Sequence, residues 1–268
     1  MPKKSNFHTS PENVKFLAER KPNSHKGDNG KVLVIAGSKQ YHGAAFFAAL
    51  AASRIVDLVY FASIKENLQL AKAYSSEFIV LPLEDAPKQI KKVDTCIIGP
   101  GLEISEENKK LVEGLIKNKN KKFVLDASAL HMISPNKLHK NCCVTPHSKE
   151  FQALFKKKAT ERTVKEMAKK YKCIIVLKGR TDLISDGKHL WKNFSGNAGM
   201  TTGGTGDILA GLIGGFAARN SLFEAALAGT FLIGFTADML KKKMDYMYNA
   251  SDVLEALPLA KKICEDNY

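Results

Sequence analysis

The chain has 268 residues, 44% of them hydrophobic, with a formal net charge of +14, enough apolar material for one large α/β domain or two small ones. The first twenty residues are polar and carry Glu12 and Glu19, and the longest apolar stretch, Ala225 to Ala237, is shorter than the roughly 20 residues a membrane span needs; no leader, no membrane contact and a cytoplasmic location are therefore expected. Five cysteines, an odd number without a C-x-x-C pair, indicate neither a zinc site nor a disulfide framework, and lysines scattered in short clusters without interleaved aromatics read as solvated faces rather than a specific nucleic-acid groove.

In chain order, residues 1–26 form a polar lead, and 27–268 read as a single domain because no repeat, low-complexity linker or composition break follows. KVLVIAG at 31–37 is a buried strand ending in glycine. Comparable β-branched runs recur at 56–62, 77–81, 93–98, 122–126, 142–145 and 173–177. Helical patterns separate most of them: 43–54 is alanine-rich, 105–118 opens at Ser105 with two glutamates in its first turn, and 160–170 opens at Thr160. Nearly continuous apolar strands alternating with helices predict a parallel sheet covered on both faces. Asp186-Gly187 within 182–191 signals a β-hairpin, and beyond 206 the pattern is helical throughout.

The densest chemical signal is the segment from Gly196 to Asp207, with five glycines in twelve residues, followed by the small apolar helix ILAGLIGGFAA. So many glycines carry a large entropy cost unless a ligand must approach the backbone closely. A glycine-rich turn feeding a helix N-terminus presents N–H groups and the positive dipole end, which suits a phosphate. Gly203, Gly204, Thr205 and Gly206 are the expected anion hole. Asp207 in the first turn would repel that phosphate unless it faces a metal or a hydroxyl whose proton must be removed; the plainer reading is a helix cap. Neither a G-x-x-x-x-G-K-[ST] nor a G-x-G-x-x-G spacing is present.

NAGMTTGGTGDILAG resembles the signature of the NAD(P)H-hydrate dehydratases, a branch of the ribokinase-like superfamily. Further family-like segments follow in order: GKVLVIAGS at 30–38, YHGAA at 41–45, KAYS at 72–75, IGPGL at 98–102, LDA at 125–127, Thr145-Pro146-His147 with Glu150, and Leu177-Lys178-Gly179. The resemblance spans roughly residues 27 to 215. It implies a central, mostly parallel sheet flanked by helices on both faces, and nucleotide-dependent repair of hydrated NADH or NADPH by phosphorylation of the hydrate hydroxyl and elimination of phosphate.

Carried onto this sequence, the resemblance makes Asp207 the base and a substrate contact. Lys178, Gly179, Arg180, Thr181, Asp182 and Gly206 would line the ADP or ATP. Ala45, Gly101, His147 and Asn197 would contact the hydrated dinucleotide. Glu150 would hold Mg²⁺ through water. Where ribokinase-like kinases often carry N-x-x-E, this chain has His147-x-x-Glu150, and without the resemblance His147 reads as a helix cap after Pro146. The aspartate at 182, where many bacterial members have threonine, leaves ATP and ADP both open as donors. A functional link to an NAD(P)HX epimerase and a homo-oligomer are also expected. A vitamin-precursor kinase of the same fold and a non-catalytic nucleotide- or RNA-binding protein are the alternatives. His8, His25, His131, His139 and His189 are isolated and read as ordinary surface or core histidines.

Overall fold

The computed structural model describes residues 7–266. Among them, nine strands form one sheet in the order β3-β2-β1-β4-β5-β6-β7-β8-β9. They are β1 (Lys31–Ile35), β2 (Leu58–Ser63), β3 (Phe78–Pro82), β4 (Thr95–Ile98), β5 (Lys122–Leu125), β6 (Cys142–Val144), β7 (Ile174–Leu177), β8 (Asp182–Ser185) and β9 (Leu190–Asn193). β1 to β7 are parallel, whereas β8 and β9 continue the sheet as the antiparallel hairpin signalled by Asp186-Gly187.

Among the described residues eleven α-helices surround the sheet: α1 (Pro11–Lys15), α2 (His42–Ser53), α3 (Lys65–Tyr74), α4 (Ala86–Gln89), α5 (Glu106–Ile116), α6 (Ser128–Met132), α7 (Ser148–Phe155), α8 (Glu161–Tyr171), α9 (Thr205–Ala217), α10 (Leu222–Met244) and α11 (Ala250–Asp266). The strand period of two explains the two cores. Val32, Val34, Ile97, Val124 and Val176 face α2, α9, α10 and α11, while Leu33, Ile35, Ile98, Leu125 and Ile175 face α5, α6, α7 and α8. All five cysteines are buried and free, as their apolar surroundings predict. Ser105 and Thr160 cap α5 and α8 as expected, each accepting the N–H three residues on at 3.1 Å.

Two sequence expectations change. Ala225 to Ala237 belongs to the 23-residue α10, the one helix among the described residues long and apolar enough to cross a membrane, and 72% of its apolar window lies inside the fold. The stretch looked too short because Asp238 and three lysines follow it, yet the helix continues through them and uses its apolar face as core. Residues 7–26 of the polar lead also pack on the domain. Phe7 and Thr9 exchange backbone hydrogen bonds with Lys192 of β9, and Val14 and Leu17 are buried.

The sheet order reverses between β1 and β4, the switch point where α/β sheets bind ligands beyond the carboxyl ends of their strands. α9 crosses the sheet antiparallel to the strands. The Lys122 ammonium at the start of β5 donates to the carbonyls of Ala217 and Asn220 at and just beyond its last turn, at 2.7 and 2.8 Å, while its first turn reaches Lys178 just beyond β7. Close packing keeps it there: a Cβ on Gly211 would lie 2.4 Å from the Ala48 carbonyl of α2. The small residues of the helix therefore serve contact with α2, and the positive end of its dipole is delivered to the ligand edge.

Candidate active site

The first intrahelical bond of α9 is donated by Ile208 to the Gly204 carbonyl at 3.0 Å. The N–H groups of Thr205, Gly206 and Asp207 precede it and have no partner among the described residues, the usual condition of a helix start. Gly204 is the N-cap, with φ 105°, and a Cβ there would collide with Phe47 and Ala250 at 2.7 and 2.8 Å. Asp207 is third in the helix, so it is not the N-cap, and its carboxylate accepts no hydrogen bond among the described residues. Burial and then the Asp126 charge push its pKa up to about 7, against the pull of Lys178.

Asp126 follows β5, is 2% exposed, and accepts from the Lys178 ammonium and the Thr145 hydroxyl, both at 2.7 Å. Lys178 lies against the helix start, since a Cβ on Gly206 would sit 3.5 Å from its Nζ. Burial is the largest effect and disfavours this ammonium, but the carboxylates of Asp126, Glu150 and Asp207 together outweigh it and raise its pKa above the ordinary value. Ala127, next to Asp126, has φ 47° and ψ −119°, a strained conformation that places the turn after β5 under tension.

His147 and Glu150 form a capping box on α7. The His147 Nδ1 accepts from the N–H groups of Lys149 and Glu150 at 3.1 and 3.2 Å, and Glu150 Oε2 accepts the His147 N–H at 2.8 Å. An accepting Nδ1 places the proton on Nε2, 3.6 Å from Glu150 Oε1 and on the exposed edge of the ring. The histidine is thus a cap whose Nε2–H edge makes no hydrogen bond among the described residues and faces Glu150. Glu150 Oε1 keeps coordinating capacity at the same edge. Among the described residues no group of three or more His, Cys, Asp or Glu is placed to hold a metal.

The remaining residues of the expected site fall into three groups. Lys178 to Asp182 make the turn between β7 and β8, with Asp182 Oδ1 accepting from the Gly179 N–H at 3.0 Å and Oδ2 from Asn193 at 2.9 Å; Arg180 is exposed and Thr181 partly so. Gly101 lies at the switch point against the Tyr41 carbonyl, and Ala45 is fully buried against Gly37, shaping that point from behind rather than from its surface. Asn197 is built into the glycine loop: its Nδ2 donates to Asp238 at 2.9 Å, and its Oδ1 accepts from the Gly199 N–H at 3.1 Å and the Tyr248 hydroxyl at 2.6 Å. Asp238 also accepts the Gly196 N–H at 2.8 Å. Asp126, Thr145, Asp238 and Tyr248 carry no assigned role in the sequence reading. Asp126 and Thr145 had a visible signal there, since both lie in family-like segments and Asp126 closes the apolar run of β5; Asp238 and Tyr248 had none.

With this geometry in place, the similarities to known proteins are informative. The sequence matches the family described as NAD(P)H-hydrate dehydratase over residues 32–259. It is 38% identical over 270 residues to the ADP-dependent (S)-NAD(P)H-hydrate dehydratase of Cenarchaeum symbiosum, covering 92% of this chain and 94% of that protein. It is 37% identical over 275 residues to the bifunctional NAD(P)H-hydrate repair enzyme of Methanocaldococcus jannaschii, covering 98% of this chain and 54% of that one, so it spans about half the length of such bifunctional relatives. The crystal structure of the ADP/ATP-dependent NAD(P)H-hydrate dehydratase of Bacillus subtilis, co-crystallised with ATP and Mg²⁺, aligns with a TM-score of 0.86 at 27% identity over 96% of this chain and 98% of that one. The glycine loop, the ribokinase-like sheet and the match over residues 32–259 together place the chain in the NAD(P)H-hydrate dehydratase family.

Proposed function

We propose that this chain, with residues 27–268 as one catalytic domain, is a hydro-lyase that returns (6S)-NADHX and NADPHX to NADH and NADPH at the expense of ADP or ATP. The observation that carries the reading is Asp207, a half-buried carboxylate with a pKa of about 7, set beside unpartnered N–H groups at the start of α9. A carboxylate there serves poorly as a cap and well as a base near neutral pH. The cytoplasmic location, a homo-oligomer and a functional pairing with an NAD(P)HX epimerase belong to the same proposal, the last supported by the bifunctional relatives.

In this mechanism the hydrate hydroxyl attacks the terminal phosphorus of the nucleotide as Asp207 takes its proton. A new P–O bond forms, and the bond to the departing AMP or ADP breaks. The N–H groups of Thr205 and Gly206 and the Lys178 ammonium face the charge that develops on the phosphoryl oxygens. The C–O bond to the phosphate then breaks, orthophosphate leaves and the neighbouring ring carbon loses a proton, restoring the dihydronicotinamide. Glu150, through water, would hold Mg²⁺ against the nucleotide phosphates, where the ion would neutralise their charge. His147 Nε2–H and the switch point around Gly101 would orient the dinucleotide, and the Lys178–Asp182 turn would lie along the nucleotide.

The test is incubation with hydrated NADH, Mg²⁺ and either ADP or ATP, following absorbance of the reduced nicotinamide and release of orthophosphate. Recovery of both in step with nucleotide consumption is expected. Accumulation of a stable phosphoester would instead identify a kinase, and recovery without any nucleotide would sink the proposal.

A further inference from the structure

We infer that Asp126 is a positioning residue for phosphoryl transfer: held by Thr145, its buried carboxylate fixes the Lys178 ammonium beneath the first turn of α9. The inference rests on the functional reading above and extends it to a residue that touches neither substrate.

The need for such a residue follows from charge. Lys178 brings a cation to the positive end of the α9 dipole, where a cation is disfavoured. Its tether is also long, with enough rotamer freedom to place the ammonium in many positions. Asp126 answers both problems through one oxygen, accepting from Lys178 and Thr145 at 2.7 Å each. At 2% exposure the carboxylate has little competition from water, so the bond is charge-assisted and directional. Thr145 and Lys178 follow neighbouring strands β6 and β7, and Asp126 follows β5, so three consecutive strand ends hold the ammonium from below while α9 covers it from above.

The groups facing Lys178 are Asp126 beyond β5, Glu150 on α7 and Asp207 on α9. Asp207 in turn faces Asp126 and Lys178. The arrangement is therefore a cation between carboxylates of unequal duty. Asp126 is committed to Lys178 in the resting protein, and Asp207 has no hydrogen-bonded partner among the described residues. When phosphoryl oxygens arrive against Lys178, Asp126 keeps the ammonium in register. The nearby negative charge of Asp126 also makes Asp207 a stronger base than it would be alone.

The proposal separates Asp126 from a merely structural acid by the direction of a titration. In Asp126→Asn, Lys178 loses its anchor. The expected result is a kcat lower by at least about 10-fold, with the KM for the hydrate changed less than about 3-fold. The midpoint of the Lys178 ammonium, followed by NMR in the nucleotide-free protein, moves to lower pH, because the Asp126 carboxylate that raises it is gone. That readout needs no turnover, so it can fail or succeed independently of the proposed reaction. A Lys178 midpoint that stays in place or rises overturns the proposal. If Asp126→Asn does not fold, Thr145→Val decides, because it keeps both charges and removes one hydrogen bond: a several-fold loss of kcat at unchanged nucleotide affinity supports the positioning role, and wild-type kcat overturns it.

Discussion

At the scale of single residues, Asp207 and His147 each had a structural alternative, and the structure treats them differently. Gly204 is the N-cap of α9, so Asp207 is not needed there. Asp207→Asn should lower kcat by at least about 100-fold, the usual cost of losing a general base, while nucleotide still binds. The sign for stability follows from linkage. The folded-state pKa of about 7 lies well above the ordinary aspartate value, so ionising Asp207 costs the fold stability as pH rises through that window. Asp207→Asn should therefore melt no lower than wild type at pH 8, and any gain should shrink between pH 7 and pH 4; a lower melting temperature at pH 8 would return Asp207 to a structural role. His147 does cap α7, and its ring keeps an exposed Nε2 edge. Asparagine caps well but lacks that edge. His147→Asn should therefore keep its melting temperature within a few degrees and raise the KM for the hydrate several-fold; an unchanged KM would leave the residue as a cap alone.

At the scale of elements, the strands were legible because burial on both faces demands uninterrupted apolar, β-branched runs, and the β8–β9 hairpin because Asp186-Gly187 suits a tight turn. The glycine loop was legible because its composition makes little sense without a close approach to the backbone. What holds the loop was not. Asp238 and Tyr248 reach Asn197 from 41 and 51 residues away, and no local pattern announces an acid inside α10 or a tyrosine before α11 as partners of a loop. The same limit hid the Thr145–Asp126–Lys178 contact, which exists only because β5, β6 and β7 are neighbours. The α10–α11 clasp yields its own expectation. Tyr248→Phe removes the hydroxyl that Asn197 accepts at 2.6 Å and should cost about 1 kcal/mol of stability. Because the clasp carries the anion loop, nucleotide affinity should fall several-fold in an equilibrium titration. Unchanged affinity beside a lowered melting temperature would mean that the loop keeps its shape without it.

At the scale of the whole molecule, the charge of +14 is not spread evenly. A groove of about 1070 Å³ opens at the amino ends of β5 and β7, the edge of the sheet opposite the candidate active site. Arg162, Lys165, Lys169, Lys172, Lys140 and Lys188 line it, with Glu166 and Asp186 as its acids. Arg162 is already paired with Glu166 at 2.7 Å, and Asp186 sits beside His189 at 3.2 Å. Much of the cationic charge is thus uncompensated. The lining has one aromatic, Phe223, with no stacked pair, and the helix start it contains, that of α10, is closed by the Ser221–Glu224 capping box, so it attracts a polyanion by charge without reading its sequence. Neutralising about five phosphates on a single strand releases counterions with a salt exponent near −0.7 per contact, which predicts roughly 100-fold weaker binding between 50 and 200 mM salt. Single-stranded RNA should therefore bind weakly, without sequence preference, and be lost near physiological salt. A Lys165→Glu, Lys169→Glu double variant should weaken that binding further and leave hydrate turnover unchanged, since both residues lie on α8 at the far edge of the sheet. Sequence-selective binding that survives 200 mM salt, or binding indifferent to the double charge reversal, would show that the positive charge has a dedicated nucleic-acid partner.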